Sequence, residues 1–126
     1  MRMVLLCSLL IGSLVPLGAQ QKPSVWWVHS AAAVHALGAA LDGISSWKQV
    51  EANPLYRQSA GPQTGNFYRT GAARLTGVTL SIVAVSEVLS VVKPKWRRYI
   101  GALNFGAAAA HLGVVVNNVV RNPYYR

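Results

Sequence analysis

Three ionisable side chains, His35, Asp42 and His111, stand inside strongly apolar stretches of this sequence. Imidazole and carboxylate are groups that bind a transition-metal ion or pass a proton near neutral pH. With Glu51 and Glu87 they form a donor set sufficient for a metal, if different parts of the chain bring them together. The spacing supplies no diagnostic pairing. There is no His-Glu-x-x-His, no pair of histidines four apart, no Gly-x-Ser-x-Gly elbow and no phosphate-cradling glycine loop. The single cysteine, Cys7, lies in the N-terminal apolar run, so the chain beyond it has no disulfide and no thiolate metal site. Chemistry, if any, rests on histidine and carboxylate. The sequence names no cofactor.

The polar residues recur with a helical period. His35 and Asp42 are seven apart and share a helix face, with Gly38 and Ala39 between them and Ser45 and Ser46 continuing the stripe. Asn104, His111 and Asn118 also recur every seven residues. An ionisable group at mid-bilayer costs about 2.5 kcal/mol or more on insertion scales, so such groups turn inward and find partners. His35, Asp42, Ser45, Ser46, Asn104, His111 and Asn118 are therefore expected to form a polar seam between helices. Two roles fit it: hydrogen-bonding glue, or a working site for a metal, a proton or a polar substrate. For Asp42 the expected partner is His111 or Asn104. For Glu87 it is Lys93 or Lys95. His29 lies off the His35 face and is expected to be wet.

The elements that must position these residues follow from composition. The 126 residues are room for one domain, 52% hydrophobic and 12% charged, against roughly 25% charged in a soluble domain. A net charge of +9 suits nucleic acid or anionic lipid, and the apolar bulk favours lipid and excludes nucleic acid. Segments 24–52, 71–92 and 99–120 have the length of spanning helices, about 20 residues. Ser24 is the expected N-cap of the first, and Pro54 its stop. Trp26, Trp27, Trp47, Trp96 and Tyr99 are placed as interface anchors. Residues 53–70 form a loop whose Tyr56, Phe67 and Tyr68 are expected at the interface. Lys93, Lys95, Trp96, Arg97 and Arg98 form a tight basic turn suited to lipid headgroups. Rows of small residues, Ala32/Ala36/Ala40, Ala102/Gly106/Ala110 and Gly77/Ser81, are where helices are expected to approach closely. Residues 1–19 read as a signal peptide or as an uncleaved N-terminal membrane helix. Basic residues divide almost evenly between the two ends, so charge does not choose an orientation.

The stretch from Asp42, through eight residues, to Glu51-Ala52-Asn53-Pro54 resembles the signature of a family of small bacterial and archaeal membrane proteins of unknown function. Members carry an Asp in the first apolar helix, small hydroxyl residues after it and Glu-x-Asn-Pro at its end. Asp42, Ser45, Ser46, Glu51, Asn53 and Pro54 match those positions. The resemblance implies about three membrane helices and supplies no activity; the expected location is a bacterial inner (cytoplasmic) membrane, crossed several times. On physical grounds the Asn53 amide is expected to cap free carbonyls at the helix end, and Glu51 to order that end through Lys48, Arg57 or backbone N–H groups.

The expected molecule is an all-α integral membrane bundle, residues 20–126, with three transmembrane helices after a signal-like N-terminal helix. Its expected role is structural or interaction-based. The alternative is a small membrane transporter subunit, or a metal- or proton-dependent intramembrane enzyme using His35, Asp42 and His111. The expected partners are membrane lipids with anionic headgroups, and a second copy or another membrane protein. A soluble exported protein would instead need 71–92 and 99–120 to bury their apolar surface in a shared core.

Overall fold

A computed structural model of the protein describes residues 23–51 and 53–121. The signal-like segment 1–19, Cys7 and the closing residues 122–126 lie outside them. The described residues form three α-helices and no strand: α1 (Val25–Ser46), α2 (Arg69–Val92) and α3 (Arg97–Arg121). The all-helical expectation holds.

Two of the three helices, α2 and α3, are long and apolar enough to cross a membrane. Only 22% of the apolar stretch in each is buried, so their Val and Leu side chains point outward rather than into a shared core. Helix α1 has 22 residues but is not in this class. His29, His35, Asp42 and its many Ala, Gly and Ser residues hold its apolarity lower.

Helix α1 lies along α3 and also carries α2. Its contacts with α3 advance together along both chains, from Trp27 beside Gly101 and Phe105 to Ser46 beside Asn118, so α1 and α3 run parallel. Helix α2 is antiparallel to α1: Leu75 lies near Gly43, and Glu87 meets His29. At Gly38 the α1 backbone packs directly on that of α3: an added Cβ would lie 3.2 Å from the Ala108 carbonyl oxygen. The Trp27 indole fills the space a side chain would need at Gly101.

The small-residue rows are not the contact lines expected. Ala102, Gly106 and Ala110 are exposed, as are Gly77 and Ser81, with open space above Gly77 and Gly106. Ala32 is buried, but its row winds outward to an exposed Ala40. Spacing of four identifies a row without saying which way it faces. The polar residues decide that, because they must face inward.

The end of α1 also differs from expectation. Ser24 occupies the N-cap position without a side-chain cap bond, and the helix stops at Ser46 rather than continuing to Ala52. Ser45 Oγ donates to the Asp42 carbonyl and Ser46 Oγ to the Asp42 carboxylate, local bonds that compete with further helix. Lys48 then takes a left-handed conformation, φ 63°, that reverses the chain. Its N–H reaches the Phe67 carbonyl at 2.8 Å, and two isolated antiparallel bridges, Val50 with Asn66 and Arg57 with Phe67, close the loop on itself. Asn53 does not cap α1. It accepts the Leu55 N–H and starts a short 3-10 turn, Pro54–Tyr56. Phe67 is buried against Ala39 and Leu75, with Tyr56 packed on this cluster, so neither ring sits free at an interface.

Candidate functional site

Two helices with the same seven-residue polar period, run parallel and pressed together at Gly38, align their polar groups pair by pair. His35 Nδ1 lies 2.9 Å from Asn104 Oδ1 and His111 Nδ1 lies 2.7 Å from Asp42 Oδ2, sixty-nine positions apart in each case. One step further, Asn118 Nδ2 donates to Ser46 Oγ at 2.9 Å and to Ser45 Oγ at 3.2 Å. These contacts bring the seven residues His35, Asp42, Ser45, Ser46, Asn104, His111 and Asn118 onto the α1–α3 boundary. Asp42 finds His111, not Asn104.

Asn104 is the junction of all three helices and is 1% exposed. Its Nδ2 donates to Ser86 Oγ of α2 at 2.9 Å and to the Ile100 carbonyl at 3.0 Å. With both amide hydrogens committed, Oδ1 accepts from His35, which assigns the Nδ1–H tautomer to that imidazole. Ser86 was not among the residues expected in the seam. Its signal lies in the spacing of Leu75, Thr79, Ser86 and Ser90, all buried on one face of α2. In a helix rich in Ser, Thr and Ala that pattern stands out less than an Asn or His does.

The Asp42 carboxylate accepts from both sides, from His111 Nδ1 and from Ser46 Oγ at 3.0 Å. The His35 and His111 rings stack with centroids 5.6 Å apart and planes 21° apart. This stack joins two hydrogen-bonded halves: Asn118, Ser46, Asp42 and His111 on one side, and His35, Asn104 and Ser86 on the other. Among the described residues, no three His, Cys, Asp or Glu side chains gather closely enough to hold a metal ion. Glu51 and Glu87 lie outside the seam. Glu51 Oε1 accepts the Asn53 N–H at 2.7 Å, while Arg57 Nε donates to the Glu51 carbonyl. Glu87 pairs with His29 Nδ1 at 2.7 Å rather than with Lys93 or Lys95, because antiparallel packing sets the last turns of α2 beside the start of α1. His29 is therefore partnered, and it also meets the edge of Trp26.

The basic turn divides its cations. Arg97 Nε donates to the Ser90 carbonyl at 2.9 Å and caps the end of α2. Arg98 lies over the Tyr99 ring, 4.5 Å from its centroid. Lys93, Lys95 and Trp96 are exposed. At the opposite end of the bundle the Tyr56 phenol is pushed above its ordinary value, first by burial and then by the negative charges of Asp42 and Glu51. Comparison with family models, with curated proteins and with solved structures finds no match for the chain.

Proposed function

We propose that this chain is a small integral membrane bundle with three spanning helices, whose polar seam fixes how the helices pack and whose role is structural or interaction-based. One observation carries the structural role. Among the described residues the only fully buried side-chain nitrogen or oxygen without a hydrogen-bond partner is Trp27 Nε1, so the seam's buried polar atoms hold one another. Hydrogen bonds of this kind specify helix packing in lipid, where apolar contact alone distinguishes poorly between arrangements.

The membrane placement of α1, despite its polar content, is supported by its anchors. Trp26 and Trp47 are 21 residues apart, about 31 Å at about 1.5 Å per residue, close to the roughly 30 Å hydrocarbon core. Of the ionisable residues between them, His35 and Asp42 face α3, and His29, close to Trp26, pairs with Glu87 of α2. Lys93, Lys95 and Trp96 would then meet anionic headgroups at the α1 N-terminal end. The resemblance at Asp42 to Pro54 implies the same three-span architecture as the one proposed.

Alkaline carbonate treatment of membranes from expressing cells tests the placement: the chain stays in the membrane pellet, and release into the supernatant overturns it. The structural role is tested on variants that remain folded. Asp42→Asn keeps a hydrogen-bonding group and is expected to keep both the bundle and its associations.

A second reading, a proton path, is favoured by the His35–His111 stack bridging the two halves of the seam. In reconstituted vesicles it predicts a proton flux that Asp42→Asn abolishes while the fold survives. A flux indistinguishable from protein-free vesicles removes this reading.

A further inference from the structure

On a different face of α1 from the seam, α1 and α2 leave a groove of about 540 Å³ between them. Its walls are Ala36, Ala40, Gly43 and Trp47 from α1 and Thr76 and Leu80 from α2, almost wholly apolar. Small residues on α1 make the groove: side chains larger than Ala and Gly there would close it. From Ala36 to Trp47 is 11 residues, about 16 Å at about 1.5 Å per residue, or one leaflet of a roughly 30 Å core. The groove is one leaflet long.

Its outer end is marked by charge. Trp47, which lines the groove, packs on Tyr68 with ring centroids 4.9 Å apart, and the Arg69 guanidinium lies 5.6 Å from the centroid of the Tyr68 ring. Arg69 precedes Thr76 and Leu80 by seven and eleven residues, on the same line of α2. Lys48 follows Trp47 directly, exposed, and its backbone is pinned by the bond from its N–H to Phe67. The nearby acid is engaged elsewhere: Glu51 Oε1 accepts the Asn53 N–H. Arg74 is turned to the Leu55 carbonyl. An apolar slot one leaflet deep, with Arg69 stacked beside the Trp47–Tyr68 pair and the exposed Lys48 next to Trp47 in the chain, is complementary to one class of molecule.

We propose that this groove seats one acyl chain of an anionic phospholipid, whose phosphate is met at the rim by Arg69 and Lys48. The site rests on the membrane placement proposed above, but it is separate from the seam and from the basic turn at the other end.

The test is native mass spectrometry of the full chain from detergent, with phosphatidylglycerol or phosphatidylcholine of identical acyl chains added. Wild type is expected to retain one lipid per chain and to prefer phosphatidylglycerol. Lys48→Ala with Arg69→Ala weakens phosphatidylglycerol retention by about thirtyfold, the combined weight of two basic residues at an anionic headgroup, and weakens phosphatidylcholine, whose phosphate is offset by its own choline cation, by less. Ala40→Leu with Thr76→Leu fills the slot at two exposed positions and removes both lipids. Retention that survives the filled slot, or that ignores the headgroup in wild type, overturns the proposal. A dimer that vanishes when the slot is filled also overturns it, by giving the groove to a second copy. Carbonate extraction of the same membranes distinguishes the failures. A chain left in the pellet without a lipid adduct refutes the groove alone, and a chain in the supernatant refutes the membrane placement with it.

Discussion

The Asp42 carboxylate lies 2.7 Å from His111 Nδ1, and the sixty-nine positions between them are the same separation that joins His35 to Asn104. Equal offsets mean that α1 and α3 stay in register over two turns, as parallel helices with a common seven-residue period must. A register shift of one turn would leave Asp42 and Asn104 facing Ala, Gly or Val. The seam therefore selects one alignment out of several that the apolar surfaces alone would permit. That is where its contribution to the fold lies.

Asp42 tests this directly. Asp42→Ala strips the partner from His111 and Ser46 together and is expected to destabilise the bundle by about 1–3 kcal/mol, the cost of unpaired buried groups. Asp42→Asn retains an acceptor and should lose less than about 1 kcal/mol, in line with single interhelical bonds in membrane proteins. Reversible denaturation in mixed micelles measures both. Equal losses in the two variants would show that the charge, not the hydrogen bonding, holds α1 to α3.

Asn104 is the more sensitive position, because it bonds α1, α2 and its own helix at once. Asn104→Ala leaves His35 and Ser86 unpaired in the most buried part of the seam and should cost more than Asn118→Ala, whose site is only half-buried. Replacing both partners with apolar residues, His35→Leu with Asn104→Leu, should recover part of the loss. A double-mutant cycle on the same unfolding signal gives the coupling, and strict additivity would mean that the bond contributes nothing.

Much of this seam was legible because Asn, His and Asp are rare in apolar helices, so a period of seven stands out at a glance. The α2 side was harder to see. Ser86 is one hydroxyl among many small residues, and nothing local says that it faces Asn104 rather than lipid. The rows at Ala102 and Gly77 misled for a related reason: they mark faces that permit close approach, and the bundle did not use them. The end of α1 was misplaced because Pro54 forbids helix beyond it without requiring helix up to it. Ser45, Ser46 and a left-handed Lys48 end the helix earlier, through contacts with Asp42 and Phe67 that depend on the loop's return.

Gly71 and Gly77 separate packing from propensity within one helix. A Cβ at Gly71 would overlap the Tyr56 carbonyl oxygen, so Gly71→Ala must push the 3-10 turn off α2. Gly77 has open space, and Gly77→Ala should stabilise α2 by up to about 1 kcal/mol through helix propensity alone. Limited proteolysis reads the difference. Cleavage within residues 47–68 should accelerate in Gly71→Ala and stay at the wild-type rate in Gly77→Ala.

The same docked turn gives the protein an alkaline weakness. Burial, and then Asp42 and Glu51, favour the neutral Tyr56 phenol, so its folded pKa stands above the value of about 10 for an unfolded tyrosine. For a group raised on folding, the stabilisation is fully present below the unfolded pKa and is lost as pH rises through the folded one. Thermal stability should therefore fall above about pH 10 as the unfolded chain releases its phenol proton and the folded chain resists. Tyr56→Phe cannot ionise and should lose the part of that alkaline decline that belongs to this residue, while matching wild type at neutral pH within the small cost of a missing hydroxyl. Melting curves for the two proteins between neutral pH and the alkaline limit decide it. Parallel curves throughout would mean that Tyr56 ionises as freely in the fold as outside it, and that the turn is less tightly seated on Phe67 and Leu75 than their packing implies.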